Sequence, residues 1–209
     1  MTVPGRIDAA SLLLSLDPSP WFVRHARAVA EVAGWLAARI EASGTAVDRR
    51  LVESAALLHD VDKALPADDP ARALRHGDGS AAWLTRMGHP ELARAVAGHP
   101  VTRMLDGERY EGWAAAASSE DRIVAYADKR AGQRLESMDE RFATWRRRYP
   151  RLARDGRTVV WEVADLLAAR DRADRLEADV CRAAGVAPAE VRRLAWTGAA
   201  LRAARERAG

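Results

Sequence analysis

The 209-residue sequence predicts an all-α protein, a single compact helical bundle with additional helices at its C-terminal end. Three observations predict this fold class. Alanine, leucine and arginine dominate the composition, whereas valine, isoleucine and aromatic residues are sparse, and this mixture favours helix over strand. Apolar residues recur three and four positions apart through most of the chain, as in helices with one buried face. No segment shows the convincing alternation of a half-buried strand.

In the first half of the chain, apolar stripes are bounded by helix start and stop signals. We predict a short helix after Asp8 and a long helix after Pro20 whose apolar stripe ends at Gly44. Asp48 is the predicted N-cap of the next helix, because its carboxylate can accept a bond from a free backbone N–H. Three shorter helices are then predicted, from Pro70 to about His76, from Ser80 to Met87, and from Pro90 onward.

The second half is predicted as longer helices separated by proline and glycine. Ser118 to Asp121 resembles a capping box and begins a helix that we expect to include Asp128 and Leu135. The segment from Val101 to Ala117 is predicted as a loop with one helical turn. Three more helices are predicted, from Asp139 to Tyr149-Pro150, from Thr158 to Ala184, and from Pro188 to about Ala208.

Composition and charge exclude several classes of protein. The formal net charge is +3 and the pI is near 9.5, and acidic and basic residues are interspersed, so no tract suits nucleic acid. No apolar run approaches the roughly 20 residues of a membrane span, and the N-terminal residues lack a signal-peptide pattern. The single cysteine, Cys181, excludes an internal disulfide. We therefore expect a cytoplasmic protein that binds neither nucleic acid nor a membrane.

Four ionisable residues lie on the apolar stripes of four different predicted helices: His25, His59, His99 and Asp128. A buried imidazole or carboxylate without a partner costs several kcal/mol. One interpretation is that each residue is satisfied separately within the core. The other is that all four converge on a divalent cation, for which neutral imidazole and carboxylate are common ligands. The adjacent pair His59-Asp60 favours the metal.

The ordered set of His25, the His59-Asp60 pair and Asp128 resembles the HD superfamily of metal-dependent phosphohydrolases. The segment LLHDVDK is similar to the LLHDIGK segment of that family, with Asp62 in place of the usual glycine. The resemblance covers roughly residues 21 to 135. It implies an HD-type catalytic domain in residues 1–150, whose core is 21–135. We interpret residues 151–209 as a C-terminal helical extension packed on the same domain.

The family has a one-metal and a two-metal form, and the two-metal form adds two histidines between the HD pair and the last aspartate. His76 and His99 match these positions, whereas His89, next to Pro90, is interpreted as an exposed cap. The resemblance therefore implies two divalent ions, which could be Fe, Mn, Co or Zn. It assigns the first ion to His25, His59, Asp60 and Asp128, and the second to Asp60, His76 and His99.

By the same resemblance, Asp60 is predicted as the catalytic bridge between the ions, and Lys63 as a catalytic and phosphate-binding side chain. Such a pair of ions would lower the pKa of a bridging water and neutralise charge on phosphate oxygens. Lys129, Arg130 and Arg134 are predicted as further contacts to the substrate phosphate. The chain has only two lysines, and both stand beside the predicted site.

The predicted function is hydrolysis of a phosphate ester or anhydride, in a nucleotide or another small phosphorylated metabolite. A homodimer is left open. The first alternative is a mixed-valent di-iron oxygenase, because some HD proteins use the same six ligands for oxygenation. The second is a non-enzymatic metal-binding or sensor module, which an intact ligand set disfavours. The ligands alone do not separate hydrolysis from oxygenation.

Overall fold

The computed structural model describes residues 3–148, 151–152, 158–159 and 161–209. The all-α class is confirmed, because the described residues are predominantly helical and include a single pair of two-residue strands. The α-helices are α1 (Arg6–Leu14), α2 (Pro20–Ala42), α3 (Arg49–Leu58), α4 (Asp78–Arg86), α5 (Ala93–Gly98), α6 (Val101–Leu105), α7 (Gly107–Ala116), α8 (Ser119–Arg130), α9 (Met138–Arg148), α10 (Val163–Ala184) and α11 (Thr197–Ala208). Short 3-10 helices lie at Val61–Lys63, Pro70–Ala73, Pro90–Leu92 and Pro188–Glu190.

Helix α2 lies at the centre of the bundle, in contact with α3, α8, α10 and α11. Its 23 residues include 13 that are buried, many of them alanine, so its neighbours can pack closely around much of its circumference. Helices α3, α5 and α8 also contact one another and complete the core on one side of α2. This arrangement brings four helices to the region where the ionisable residues lie.

The predicted helix caps are present. The Asp48 side chain accepts from the backbone N–H of Leu51 at 2.9 Å and begins α3. Ser118 and Asp121 form a reciprocal capping box at the start of α8. Both caps satisfy backbone N–H groups that have no partner within the helix, which is why these sequence signals locate helix starts well.

Two predicted element boundaries were wrong in the middle of the chain. The segment from 101 to 117 forms two helices, α6 and α7, rather than a loop with one turn. Few of its side chains are buried, chiefly Met104 and Tyr110, so its apolar stripe is too weak to recognise. Helix α8 ends at Arg130 rather than continuing to Leu135, since Leu135 pairs with Ala131 in a β-bridge.

The C-terminal helices also start later than predicted. Residues Thr158–Val159 pair with Arg151–Leu152 as antiparallel strands, and α10 begins at Val163. Strands of two residues are too short to show a recognisable alternation. After the turn at Pro188–Glu190 the chain is irregular until Thr197, because the backbone N–H of Leu194 bonds to the carbonyl of Glu31. The predicted helix end at Tyr149-Pro150 lies outside the described residues.

The C-terminal helices pack against the rest of the bundle. Helix α11 contacts α1 and α2, and α10 contacts α2, α6 and α8. Tyr126 of α8 donates to Glu177 of α10 at 2.6 Å, and Arg130 pairs with the same carboxylate at 3.2 Å. Among the helices that the structure describes, none combines the length and hydropathy needed to cross a bilayer.

Candidate metal centre

Helix ends deliver most of the side chains of the candidate centre. His59 and His99 are the C-cap residues of α3 and α5, and Asp60 follows His59 directly. His25 lies in the second turn of α2, and Asp128 lies in the last turn of α8. The sixth residue, from the loop that precedes α4, is His76. The structure therefore brings together all six residues that the sequence predicted as metal ligands.

One group of ligand atoms surrounds the Oδ2 atom of Asp60. His25 Nε2 lies 3.3 Å from this oxygen and 3.5 Å from Asp128 Oδ1. His59 Nε2 lies 3.6 Å from Asp60 Oδ2 and 3.8 Å from Asp128 Oδ1. The two imidazole Nε2 atoms are 3.2 Å apart. These four residues form the first candidate ligand set.

A second group of ligand atoms surrounds the other carboxylate oxygen of Asp60. Asp60 Oδ1 lies 3.1 Å from His76 Nε2 and 3.2 Å from His99 Nε2. The two imidazole nitrogens are again 3.2 Å apart. Asp60 thus faces one histidine pair with each of its oxygens. This is the arrangement in which one carboxylate can bridge two ions.

Hydrogen bonds away from the centre show which ring nitrogens are available as ligands. Backbone carbonyls only accept, so an Nδ1 atom bonded to a carbonyl carries a proton, and the Nε2 atom of a neutral ring is then an acceptor. Three rings are held in this way at 2.6–2.7 Å: His25 by Gly132, His59 by Ala56 and His99 by Val96. The Nε2 atoms of His25 and His59 lie 3.2 Å apart, and the Nε2 atom of each of the three rings lies 3.2–3.6 Å from an oxygen of Asp60, so acceptor faces acceptor. A cation between them would turn this repulsion into ligation, and the residues present therefore fit a metal site.

The charge states of these residues are also those of metal ligands. Burial lowers the pKa of His59 to about 3, and it lowers the pKa of His99 as well, so both rings are neutral. Burial alone would raise the pKa values of Asp60 and Asp128. Lys63 beside Asp60, Lys129 beside Asp128, and nearby histidines outweigh burial and hold both pKa values well below their usual range.

His76 differs from the other three histidines. Burial and the nearby Lys63 lower its pKa, but the carboxylates of Asp60 and Asp62 outweigh them and raise the pKa to about 9. The two carboxylates therefore draw a positive charge to this position, which is the charge that a divalent cation would supply. Within the described residues, Asp62 also joins Asp60 and His76 in a group whose ligand atoms lie within 4.8 Å of one another.

Comparison with known proteins agrees with this geometry. A family model described as HD domain matches residues 22–132, just over half of the chain, and this range contains all six candidate ligands. The chain belongs to the HD domain family. The family consists generally of metal-dependent hydrolases, and the His and Asp cluster is consistent with an HD-type metal site. Searches of curated proteins and of solved structures found no significant match.

The candidate metal centre borders a cavity of about 900 Å³. His25, His76 and Asp128 form part of the cavity wall. Lys63 also lines it, with 46% of its side chain exposed and its Nζ atom 2.7 Å from Asp60 Oδ2. The predicted role of Lys63 at the substrate phosphate is consistent with this position.

Lys129, which the sequence analysis predicts as a phosphate contact, does not line the cavity. Its side chain is 0% exposed, and its ammonium donates to the carbonyl of His99 and, at 3.2 Å, to Asp128 Oδ2. Burial lowers its pKa, and Asp128 only partly offsets this effect. Lys129 therefore bonds to two candidate ligand residues, His99 and Asp128, from within the core and does not face the cavity.

Arg130 and Arg134, which are also predicted as phosphate contacts, do not line the cavity either. Arg130 is buried and donates to Tyr126 at 2.5 Å and to the carbonyl of Glu136 at 2.8 Å. The Arg134 side chain is 74% exposed and lies 3.5 Å from Glu140. Arg130 links elements of the bundle, and Arg134 forms a surface ion pair, which contributes little to stability.

Three cationic residues that are not among the predicted phosphate contacts line the cavity: Arg72, Arg141 and Arg148. Arg141 is buried, donates to the backbone carbonyl of Asp128 at 3.2 Å, and stacks on the Trp145 ring at 4.7 Å. Its four-residue spacing from Trp145 indicates only a shared helix face. No signal in the sequence shows that this face of α9 is turned toward the metal centre.

Proposed function

We propose that this HD domain hydrolyses a phosphate ester or anhydride of a nucleotide or another small phosphorylated metabolite. The observation that carries this proposal is the position of Asp60, whose Oδ1 and Oδ2 atoms face separate histidine pairs. The family consists generally of metal-dependent hydrolases, and a site for two ions suits in-line displacement at phosphorus. The two-ion stoichiometry is part of the proposal.

The described residues suit two ligand sets that share Asp60. Divalent ions bound there would supply Lewis acidity toward phosphate oxygens and would lower the pKa of a water molecule toward neutrality. Nitrogen and carboxylate ligands are compatible with Fe, Mn, Co or Zn. The first set consists of His25, His59, Asp60 and Asp128, and the second of Asp60, His76 and His99.

The cavity wall supports an anionic substrate. Lys63 places a mobile positive charge beside Asp60, where it can contact a phosphate oxygen and orient the substrate. Arg72, Arg141 and Arg148 add positive charge elsewhere on the same wall, which raises the local concentration of an anion. A guanidinium can also bind two phosphate oxygens at once.

The size of the cavity supports a substrate larger than inorganic phosphate. About 900 Å³ lies within the range of sites for small organic ligands. Trp21 lines it with 37% of its surface exposed, and Arg148 lies over its ring at 5.5 Å. The Trp21 ring also stacks on His25 with centroids 5.8 Å apart, so a nucleobase would contact the part of the indole that these neighbours leave exposed. This feature favours a nucleotide over a small sugar phosphate.

Metal analysis combined with a substrate screen tests the proposed function. The purified protein is loaded with Mn²⁺ and assayed for phosphate release from nucleotides, dinucleoside polyphosphates and sugar phosphates, with and without oxygen. We expect release that requires metal, does not require oxygen, and is abolished in Asp60→Ala. The control is Asp68→Ala, because Asp68 is exposed and has no hydrogen-bond or ion-pair partner among the described residues.

Two results would contradict the proposal. Phosphate release that persists in folded Asp60→Ala protein would place the active centre elsewhere. Oxygen consumption by an iron-loaded protein that releases no phosphate from any substrate would favour the oxygenase alternative. Circular dichroism of both variants shows whether the helical fold is retained.

A further inference from the structure

Asp62, which replaces the usual glycine of the family segment, has a defined environment. Its side chain is only 8% exposed, so its carboxylate needs partners within the protein. Its Oδ2 atom accepts from His76 Nδ1 at 2.9 Å and from the backbone N–H of Gly77 at 3.3 Å. Its Oδ1 atom accepts from Ser80 Oγ at 3.0 Å. Among the described residues, these hydrogen-bond donors all belong to the segment 76–80, which carries His76 to the centre.

The segment 76–80 is also shaped around Asp62. The backbone N–H of Asp62 donates to Ser80 Oγ at 3.0 Å, so the two residues are joined in both directions. Gly77 has a φ of +87°, which favours glycine, and allows the chain to turn after His76. A Cβ atom at Gly79 would lie 3.1 Å from Asp62 Cβ and would clash with the carbonyl of Ala71. The loop is therefore closely packed on Asp62.

The Nδ1 atom of His76 bonds to a side chain, whereas the Nδ1 atoms of the other three candidate ligand histidines bond to backbone carbonyls. The Nδ1 atoms of His59 and His99 bond to carbonyls of their own helices, Ala56 and Val96, three residues earlier. Helix formation supplies those acceptors whatever the neighbouring side chains are. His76 instead precedes α4, and its Nδ1 acceptor is the carboxylate of Asp62. A glycine at position 62 would remove this acceptor.

We propose that Asp62 is a positioning residue that directs His76 Nε2 toward Asp60 Oδ1 and thereby completes the ligand set of the second ion. This inference rests on the two-ion centre of the proposed function. Both oxygens of Asp62 are already hydrogen-bonded to the loop, which favours positioning over direct ligation. Carboxylates that bond to the outer nitrogen of a ligand histidine fix its orientation, and their loss weakens metal affinity about 10- to 100-fold.

Titration of the metal-free protein with Mn²⁺ tests the role of Asp62, with calorimetry for affinity and elemental analysis for stoichiometry. We expect Asp62→Ala to bind the first ion as the wild type does and the second ion about 10- to 100-fold more weakly. Asp62→Asn, which keeps one acceptor oxygen, should lose less affinity. Asp68→Ala is the matched control and should bind both ions as the wild type does. Should Asp62→Ala not fold, Asp62→Asn and Ser80→Ala carry the test, since each weakens the hold on His76 and should reduce affinity for the second ion alone.

A double-mutant cycle with His76→Ala separates positioning from direct ligation. If Asp62 acts through His76, Asp62→Ala should cause no further loss of Mn²⁺ affinity in the His76→Ala background. A further loss of equal size would make Asp62 a ligand and overturn the inference. Unchanged affinity for the second ion in the Asp62→Ala single variant would also overturn it. A wild-type stoichiometry of one ion per chain would overturn the two-ion centre itself, while phosphate release could still be tested independently.

Discussion

Lys63 and Lys129, the two lysines of the chain, pair with different carboxylates of the same cluster and have different environments. Lys63 pairs with Asp60 from the cavity, where water and substrate can reach it. Lys129 pairs with Asp128 from within the core. A substrate in the cavity could therefore reach Lys63, whereas Lys129 neutralises the buried carboxylate of Asp128. Paired substitutions can separate these roles.

Lys63→Ala is expected to reduce kcat/KM for phosphate release about 10- to 100-fold, because a hydrogen bond to a charged group contributes about 1.5–3 kcal/mol. Metal content and unfolding free energy should change little, since the side chain is nearly half exposed. Steady-state kinetics and elemental analysis check this expectation, and Lys63→Arg, which keeps the charge, is the matched control. An equal loss of bound metal would indicate a structural role for Lys63.

Lys129→Ala, unlike Lys63→Ala, is expected to lower the unfolding free energy. Removing one partner of a buried ion pair typically costs about 3–5 kcal/mol, because the remaining charge is left uncompensated. The substitution removes the positive charge beside Asp128 and the hydrogen-bond donor to the backbone carbonyl of His99. Urea unfolding of the metal-free protein measures this loss. Wild-type stability together with a large rise in KM would instead support the original assignment of Lys129 as a phosphate contact.

At the scale of single elements, the candidate metal centre depends on where helices end. His59 and His99 are the C-cap residues of α3 and α5, and each ring donates to a carbonyl in the final turn of its own helix. The residue that ends each helix is therefore also held by that helix. The segment 76–80 lacks this arrangement, since His76 bonds to the side chain of Asp62 and Gly79 packs closely against Asp62 and Ala71.

Gly79→Ala tests the importance of that close packing. Gly79 has no positive φ, so the cost would come from contact of the new methyl group with Asp62 and the carbonyl of Ala71. Overpacking of this kind costs about 1–3 kcal/mol, and the displaced loop should also weaken binding of the second ion. Thermal unfolding and Mn²⁺ titration measure both effects.

Gly112→Ala is the matched control for this substitution. It lies within α7 and a Cβ atom there would meet nothing within 4 Å, so alanine should be neutral or slightly stabilising. Equal stability and equal Mn²⁺ affinity in the two variants would show that the loop tolerates a methyl group. In that case the loop would not depend on glycine for its position.

At the scale of the whole molecule, the C-terminal segment is tied to the central helix through Glu31. This buried residue of α2 accepts from Arg193 at 2.6 Å and from the hydroxyl of Thr197, and its backbone carbonyl accepts from Leu194. Helix α2 also carries His25. The helix that carries the candidate ligand His25 is therefore the helix on which the C-terminal segment is anchored.

Glu31→Ala is expected to lower the unfolding free energy by about 1–3 kcal/mol, because charged donors lose their buried acceptor. The Arg193 side chain is 30% exposed and can regain water, so the loss should be smaller than for a fully buried pair. Chemical denaturation measures this difference, with Glu206→Ala, an exposed position in α11, as the control. Unchanged stability would mean that apolar packing alone holds the C-terminal helices.

The sequence by itself determined the helical class, the helix caps and the inward direction of four ionisable residues, because each depends on local properties. A period of three to four residues decides which side of a helix is buried, so His25, His59, His99 and Asp128 could be recognised as ionisable groups directed inward. Caps such as Asp48 satisfy backbone groups a few residues away. His76 was assigned through the family pattern, since it lies in a loop without a helical period.

Only the tertiary structure decided which cations face the cavity and which partners Asp62 has. Lys129 follows Asp128 in sequence, yet its ammonium donates to the carbonyl of His99 at the end of α5. Only the packing of α5 on α8 brings that carbonyl near. Arg141 reaches the centre because α9 folds back toward Asp128. Asp62 acquires its partners because the segment 76–80 packs against it. In each case the contact joins elements distant in sequence, and helical periodicity carries no information about such contacts.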